Sequence, residues 1–227
     1  MAVRALVFDV FGTLVDWRTP VARAFRSSGA PGDAAELADD WRGRYVPILL
    51  EVNAGKRPWA DLDELHRATL HALLAERGID LPSGERSRLV EAWHRLDAWP
   101  DVPGGLAHLR RQRVTGALSN GHMSLLVDLS RHAGLRFDCL LPAELAGAYK
   151  PAPAVYLMGA RLLRLQPAEV MLVAAHPADL AAARAAGLRT AFVDRPLEYG
   201  PGSPPREDPD ADLSVESLDE LAEALRR

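Results

Sequence analysis

Four polar segments of this 227-residue chain each follow a short apolar run and carry side chains suited to nucleophilic chemistry. In the first, FDVFGTL, Asp9 offers a carboxylate, Gly12 permits a sharp turn and Thr13 adds a hydroxyl. A carboxylate can attack an electrophile and form a covalent intermediate. Each segment alone is an ordinary turn or capping sequence, so the signal is their joint occurrence in this order. The later segments are LSNG with Ser119, AYKP with Lys150, and VAAHPAD with Asp179.

An alternation of strand and helix patterns predicts where these segments lie. It predicts an open α/β sheet of parallel strands, and such a sheet carries its functional residues at the carboxyl ends of the strands. Apolar runs predict strands at 3–9, 114–119, 138–142, 169–175, 189–193 and 211–215. Helical patterns lie between them at 102–113, 122–134, 152–165, 177–187 and 216–226.

Residues 16–98 interrupt this alternation and show no convincing strand. Their patterns predict helices at 19–28, 33–52, 60–77 and 84–98. We therefore predict a catalytic core of residues 1–15 and 99–227. Residues 16–98 would form an all-helical cap above the carboxyl edge of the sheet.

Composition excludes several classes of protein. The net charge of −4 provides no strong attraction to nucleic acid or to an anionic membrane. The single cysteine, Cys139, rules out a disulfide framework and a cysteine zinc site. The apolar start is interrupted by Asp9, so it predicts neither a membrane span nor a secretory signal. We expect a soluble cytoplasmic protein.

The four segments resemble the motifs of the haloacid dehalogenase superfamily. Those motifs are a DxxxT loop, a Ser or Thr, a Lys and an acidic loop, which correspond to Asp9 to Thr13, Ser119, Lys150 and Asp179. Nearly the whole chain is similar, more narrowly, to the type II L-2-haloacid dehalogenases. The resemblance implies a Rossmann-like core with a helical cap inserted after the first strand.

Two positions favour dehalogenation over the phosphatase activity that is common in this superfamily. Its phosphatases carry an acid two residues after the nucleophile and a metal-binding carboxylate four residues before the last Asp, where this chain has Phe11 and Ala175. A phosphate ester needs a metal to neutralise charge and an acid to protonate the leaving oxygen. Halide leaves without a proton. We therefore expect displacement at carbon, with no metal and no other cofactor.

The resemblance implies hydrolysis of small 2-haloacids to 2-hydroxyacids. Asp9 would attack C2 with inversion, expel halide and form an aspartyl ester that water then hydrolyses. Lys150 would keep Asp9 ionised, with Tyr156 hydrogen-bonded nearby. Ser119 and backbone N–H groups at 9–13 would hold the substrate carboxylate.

The halide and the rest of the substrate involve further residues. By the same resemblance, Asn120 and Arg42, on a predicted cap helix, would receive the halide. Phe11 and Thr13 are the other candidates for substrate contact. The partners implied are a haloacid and its halide, and family analogy adds a possible homodimer.

His176 departs from the family pattern. Ala174, Ala175 and His176 stand where the dehalogenases carry Ser-Ser-Asn. His176 could orient the hydrolytic water and take its proton, with Asp179 supporting it. The alternative is that it fills the space of the Asn and caps the helix that begins at Pro177. Ala178 replaces an aromatic residue of the family, which removes one wall of the pocket.

Two other functions stay open at this point. One is a phosphatase with a degenerate metal site, and the other is a non-catalytic protein that binds a small anion on the same fold. The histidines other than His176 show no metal-ligand spacing along the chain.

Overall fold

The computed structural model describes residues 2–226, and parallel strands form its centre. The strands are β1 (Ala5–Phe8), β2 (Val15–Asp16), β3 (Asp97–Ala98), β4 (Val114–Ser119), β5 (Cys139–Pro142), β6 (Val170–Ala174), β7 (Arg189–Val193) and β8 (Leu213–Val215). Six of them form one parallel sheet in the order β5-β4-β1-β6-β7-β8. The predicted α/β class with a parallel sheet is confirmed.

The order of the strands at the middle of the sheet indicates where a site can form. All four residues of β1 are fully buried, as expected for a parallel strand covered by helices on both faces. The chain builds β4 and β5 on one side of β1 and then crosses to β6 on the other side. Loops therefore diverge at the carboxyl end of β1, which is where ligands bind in open α/β sheets.

Helices occupy both the long interval between β2 and β3 and the shorter ones between the later strands. The first group is α1 (Arg18–Ser27), α2 (Ala34–Gly43), α3 (Tyr45–Asn53), α4 (Leu62–Glu76), α5 (Ser83–Glu91) and a 3-10 helix, Ala92–His94. We call this group the helical insertion. The second group is α6 (Val102–Arg110), α7 (Met123–His132), α8 (Pro153–Leu162), α9 (Pro177–Ala185) and α10 (Leu218–Ala224). Over residues 2–226, no helix combines the length and the apolar character needed to cross a membrane.

Two of the predicted helices are shorter in the structure. The helix predicted over 33–52 is two helices, because α2 ends at Gly43 and α3 begins at Tyr45. Pro47 has no backbone N–H to continue the hydrogen-bond ladder across this junction. The helix predicted over 84–98 ends at Glu91 and tightens into the 3-10 turn.

The prediction that residues 16–98 contain no strand is wrong at both ends of that range. β2 and β3 pair antiparallel, with Val15 opposite Ala98 and Asp16 opposite Asp97. Two-residue strands are too short to show an alternating pattern in a sequence. The pair lies where the chain enters and leaves the helical insertion. The division into core and cap domains at the boundaries given above stays a prediction.

Candidate active site

The predicted reactive residues follow the strands of the sheet at one edge. Asp9 follows β1, Ser119 ends β4, Lys150 follows β5, and His176 with Asp179 follows β6. A cavity of about 470 Å³ opens at this edge. The helical insertion covers it with side chains from α2 and α3, and the lining residues include Asp9, Phe11, Arg42, Tyr45, Asn120, Lys150, His176, Ala178, Asp179 and Tyr199.

Asp9 is held by three hydrogen-bond donors. The Nζ of Lys150 lies 3.2 Å from its Oδ1, while Thr13 Oγ1 at 2.7 Å and His176 Nδ1 at 3.1 Å contact its Oδ2. Burial alone would raise the pKa of this carboxyl, but the Lys150 ammonium and the His176 imidazole hold the pKa well below its usual range. Asp9 is therefore an ionised carboxylate at the floor of the cavity.

Lys150 lies between two carboxylates. Its Nζ donates to Asp179 Oδ2 at 2.7 Å as well as to Asp9. Burial would lower the pKa of Lys150, but these two negative charges raise the pKa above its ordinary value, so the amine stays an ammonium. Tyr156 donates its hydroxyl to Asp179 Oδ1 at 2.5 Å, and burial raises the pKa of that phenol. The four side chains form one connected network.

His176 bridges two carboxylates, and neither belongs to Asp179. Its Nδ1 is 3.1 Å from Asp9 Oδ2, and its Nε2 is 2.9 Å from Glu198 Oε1. Burial would lower the pKa of the imidazole, but hydrogen bonds to Asp9 and Glu198 raise the pKa to about 9. The predicted support of His176 by Asp179 is wrong, because both oxygens of Asp179 are engaged with Lys150 and Tyr156.

Glu198 is the member of this hydrogen-bond network that the sequence did not predict. Its side chain is fully buried, and it accepts hydrogen bonds from Trp17 Nε1 at 3.1 Å and Arg206 Nη2 at 2.5 Å. Burial alone would raise the pKa of Glu198, but the contact with His176 and the charge of Arg206 keep the pKa below its ordinary value. Glu198 lies in the loop after β7, and nothing in the sequence of that loop distinguishes it from a surface acid.

Arg42 contributes a guanidinium to the cavity lining. Its guanidinium carbon lies 4.2 Å from the ring centre of Tyr45 and 5.4 Å from that of Trp17. Its Nη1 is buried and has no hydrogen-bond partner within residues 2–226. Asn120 accepts a hydrogen bond from the backbone N–H of Lys150 at 2.8 Å and also lines the cavity. A buried, unpartnered guanidinium donor in a cavity wall suits an anion.

Three of the predicted substrate-binding residues do not line the cavity. Thr13 donates to Asp9 and accepts from the N–H of Ala175 at 3.0 Å. Ser119 is fully buried and accepts from the N–H of Gly121 at 3.1 Å. Tyr156 is also fully buried and faces Asp179. In this arrangement they position their neighbours, and their contact with substrate stays a prediction.

The cavity offers a poor set of oxygen ligands for a metal ion. Asp9 and Asp179 both point at the same ammonium, that of Lys150. Asp39, the third carboxylate in the lining, is paired with Arg18 at 2.7 Å. At residue 175, where the phosphatases carry a metal-binding carboxylate, alanine contributes only a backbone N–H. Each carboxylate of the lining is therefore already paired with a cation of the protein.

Comparisons with known proteins agree with this geometry. The model of a family described as haloacid dehalogenase-like hydrolases matches residues 3–187. The chain is 32% identical over 231 residues to (S)-2-haloacid dehalogenase 1 of Pseudomonas sp. (strain CBS-3), covering 99% of this chain and 97% of that protein. It is 48% identical to the L-2-haloacid dehalogenase PA0810, whose crystal structure superposes with a TM-score of 0.94 over 99% of both chains.

A second similar structure contains a ligand. It is the L-2-haloacid dehalogenase from Xanthobacter autotrophicus with chloropropionic acid covalently bound, which is 26% identical with a TM-score of 0.85 over 99% of this chain and 98% of that one. The family model, the relative of similar length and the shared fold all agree. The chain belongs to the haloacid dehalogenase-like hydrolase family.

Proposed function

We propose that this protein hydrolyses small 2-haloacids to 2-hydroxyacids through an ester on Asp9, without a metal ion. The observation that carries this proposal is that one cavity is lined both by the ionised Asp9 and by Arg42, whose buried Nη1 has no hydrogen-bond partner among the described residues. One group supplies the nucleophile and the other receives an anion. The covalently bound chloropropionic acid in the similar Xanthobacter structure supports a covalent route.

In the first step, a carboxylate oxygen of Asp9 attacks C2 from the side opposite the halogen. The C–O bond forms as the carbon–halogen bond breaks, and the configuration at C2 inverts. Arg42 and Asn120 stabilise the halide as it leaves, because an ionic donor in a water-poor cavity is strongest where charge develops. Lys150 keeps the attacking carboxylate ionised and oriented.

Ester formation changes the environment of His176. While Asp9 is an anion, His176 with its pKa of about 9 is an imidazolium that donates to both Asp9 and Glu198. The ester carries no charge, so one of the two interactions that raise this pKa is lost. The imidazolium then releases its Nδ1 proton to solvent and keeps the Nε2 proton directed at Glu198.

In the second step, Nδ1 of His176 accepts a proton from water as the water oxygen attacks the ester carbonyl. The protonated His176 then gives that proton to the departing alkoxide, and the proton of the new Asp9 carboxyl returns to the imidazole. One proton is released per turnover, as conversion of a haloacid anion and water to a hydroxyacid anion and halide requires. Glu198 orients the imidazole and fixes its tautomer, as the carboxylate of a catalytic triad does.

The cavity also suits the substrate. Val46, Leu49 and Ala178 contribute apolar surface beside the polar floor, so the cavity has space for an alkyl substituent at C2. The substrate carboxylate is expected near Ser119 and the backbone N–H groups at 9–13. A cytoplasmic location and a homodimer are part of the same proposal, and the homodimer rests on family analogy alone.

Halide release tests the proposal. Chloro-, bromo- and fluoroacetate and a racemic 2-chloroacid should be assayed beside a generic phosphate ester, each with and without a chelator, with Asp9→Asn as the inactive control. We expect halide from at least one haloacid, unchanged by the chelator and absent in Asp9→Asn. Phosphate release that requires magnesium would support the phosphatase instead. Tight anion binding without any turnover would support the non-catalytic protein.

A further inference from the structure

A second cluster of polar side chains lies between the helical insertion and the loop after β4. It consists of Asp63 on α4, His94 in the 3-10 helix and His122 just before α7, and we call it the seam cluster. One ligand atom from each residue lies within 4.8 Å of the other two. His94 Nε2 is 3.2 Å from Asp63 Oδ2, and His122 Nε2 is 4.0 Å from the same oxygen. The proposed dehalogenation uses none of these residues.

These distances fit a small divalent cation. Zinc binds imidazole nitrogen and carboxylate oxygen at about 2.0–2.2 Å in tetrahedral geometry, which separates neighbouring ligand atoms by roughly 3.4 Å. The two measured separations lie on either side of that value. Two imidazoles and one carboxylate are a ligand set suited to zinc, and a water molecule would complete four-coordination.

His122 lacks the hydrogen bonds that a buried imidazole normally makes. Its side chain is 9% exposed, its Nδ1 is buried without a partner among the described residues, and its Nε2 is too far from Asp63 for a hydrogen bond. A cation bound at Nε2 would give that nitrogen the partner that the described residues do not supply. Nδ1 would keep the free-energy cost of an unsatisfied buried group.

His94 is already oriented as a metal-binding histidine usually is. Its Nδ1 lies 2.9 Å from Asp128 Oδ2, which directs Nε2 toward Asp63. Histidine ligands of metals almost always donate their second ring N–H to a carboxylate or carbonyl in this way. The seam cluster therefore contains three ligands and one outer carboxylate.

We propose that Asp63, His94 and His122 bind a divalent cation of the zinc class at the seam between the helical insertion and the sheet. Asp63 and His94 belong to the insertion, while His122 and Asp128 belong to the chain around β4 and α7. A bound ion would therefore join these two parts of the molecule. On binding, the ion takes the position of the proton that His94 Nε2 shares with Asp63. The site is separate from Asp9.

Metal binding to the untagged, chelator-treated full chain tests this proposal. Cobalt(II) should produce the visible d–d absorption of a tetrahedral site, and one zinc ion per chain should displace it with a dissociation constant of about 1 µM or below. His94→Gln and His122→Gln should each weaken zinc binding more than about 100-fold. Asp128→Asn should weaken it by about 10- to 100-fold, as expected for an outer-shell carboxylate.

His108→Gln is the matched control, because His108 pairs with Asp219 at 2.9 Å outside the seam cluster. It should bind zinc as the wild type does, and so should Asp9→Asn. Thermal unfolding of each variant shows whether it is folded, and the cobalt spectrum of the wild type does not depend on any variant. The proposal is overturned if no d–d absorption appears, if both glutamine variants keep the wild-type affinity, or if Asp9→Asn abolishes binding.

Discussion

Replacement of His176 by alanine should separate the two steps of the proposed reaction. Cleavage of the carbon–halogen bond requires Asp9 and the halide pocket, and Lys150 still holds Asp9 ionised from 3.2 Å when His176 is absent. Hydrolysis of the ester requires a base beside the Asp9 carbonyl, and His176 Nδ1, at 3.1 Å from Asp9 Oδ2, is the group in that position. The variant should therefore form the ester and then stop.

The expected loss of rate in His176→Ala follows from the proposed role of His176 as a general base. Loss of a positioned general base costs on the order of a hundredfold to ten-thousandfold in rate. A loss of this size makes hydrolysis rate-limiting, so His176→Ala should release about one halide per active site in a fast phase. The side chain of His176→Asn fills part of the same space and can hydrogen-bond a water molecule, but an amide cannot accept a proton from that water at neutral pH. It should recover only the part of the rate that depends on positioning.

Rapid-quench halide measurement and intact-protein mass are the assays. The mass of His176→Ala should increase by the acyl group of the substrate, and proteolysis should locate the increase at Asp9. His132→Ala is the matched control, because His132 is an exposed histidine paired with Asp97 away from the cavity. Near wild-type turnover without a burst would show that His176 only fills space. Slow turnover without a burst would place its role in the first step and refute the assignment as a base.

Three further predictions address the nucleophile, the buried glutamate and the charge on the imidazole. A single turnover in heavy-oxygen water should leave the product unlabelled, because the new oxygen of the hydroxyacid comes from Asp9. Label detected in that product by mass spectrometry would mean that water attacks C2 directly. Glu198→Gln should slow ester hydrolysis on the order of a hundredfold and leave the halide burst unchanged. In a rapid-quench experiment, an equal loss of rate in the burst and in the later steady-state turnover would argue against a role through His176. Folding raises the pKa of His176 from about 6.5 to about 9. The charged imidazole therefore adds its full contribution to the free energy of unfolding below pH 6.5, and this contribution is lost as the pH rises to 9. Urea unfolding should therefore show the wild type losing about 3 kcal/mol more than His176→Asn between those pH values, and parallel pH profiles would contradict the charged imidazole.

The sheet and the places of the residues proposed for the first step could be predicted because each depends on a local pattern. β1, β4 and β6 are short apolar runs, and the residue types at or just after their carboxyl ends identify Asp9, Ser119 and the loop of Asp179. The carboxyl ends of parallel strands meet at one edge, so sequence order and strand order suffice to bring these loops together. Predicted strand positions and the structure differ by one or two residues at most of their ends.

The partner of His176 could not be predicted in this way. Asp179 is the acid nearest to His176 in sequence, but α9 begins at Pro177 and directs the Asp179 carboxylate at Lys150 and Tyr156. Glu198 instead lies in an irregular loop, which has no hydrophobic periodicity from which its position could be predicted. The seam cluster is comparable, because its two histidines lie on different elements and only the packing of the insertion against the sheet brings them together.

Gly12 is important both for the turn after Asp9, which the sequence predicts, and for the approach of Glu198, which it does not. In the sequence it indicates a tight turn after Asp9, and the structure agrees, with φ at +82°. A Cβ at this position would overlap the carboxylate of Glu198. The glycine thus does two things: it lets the chain turn, and it leaves the space through which a distant glutamate reaches His176. The loop after β1 therefore also leaves the space that Glu198 occupies beside His176, and Asp9, His176 and Glu198 form one connected site.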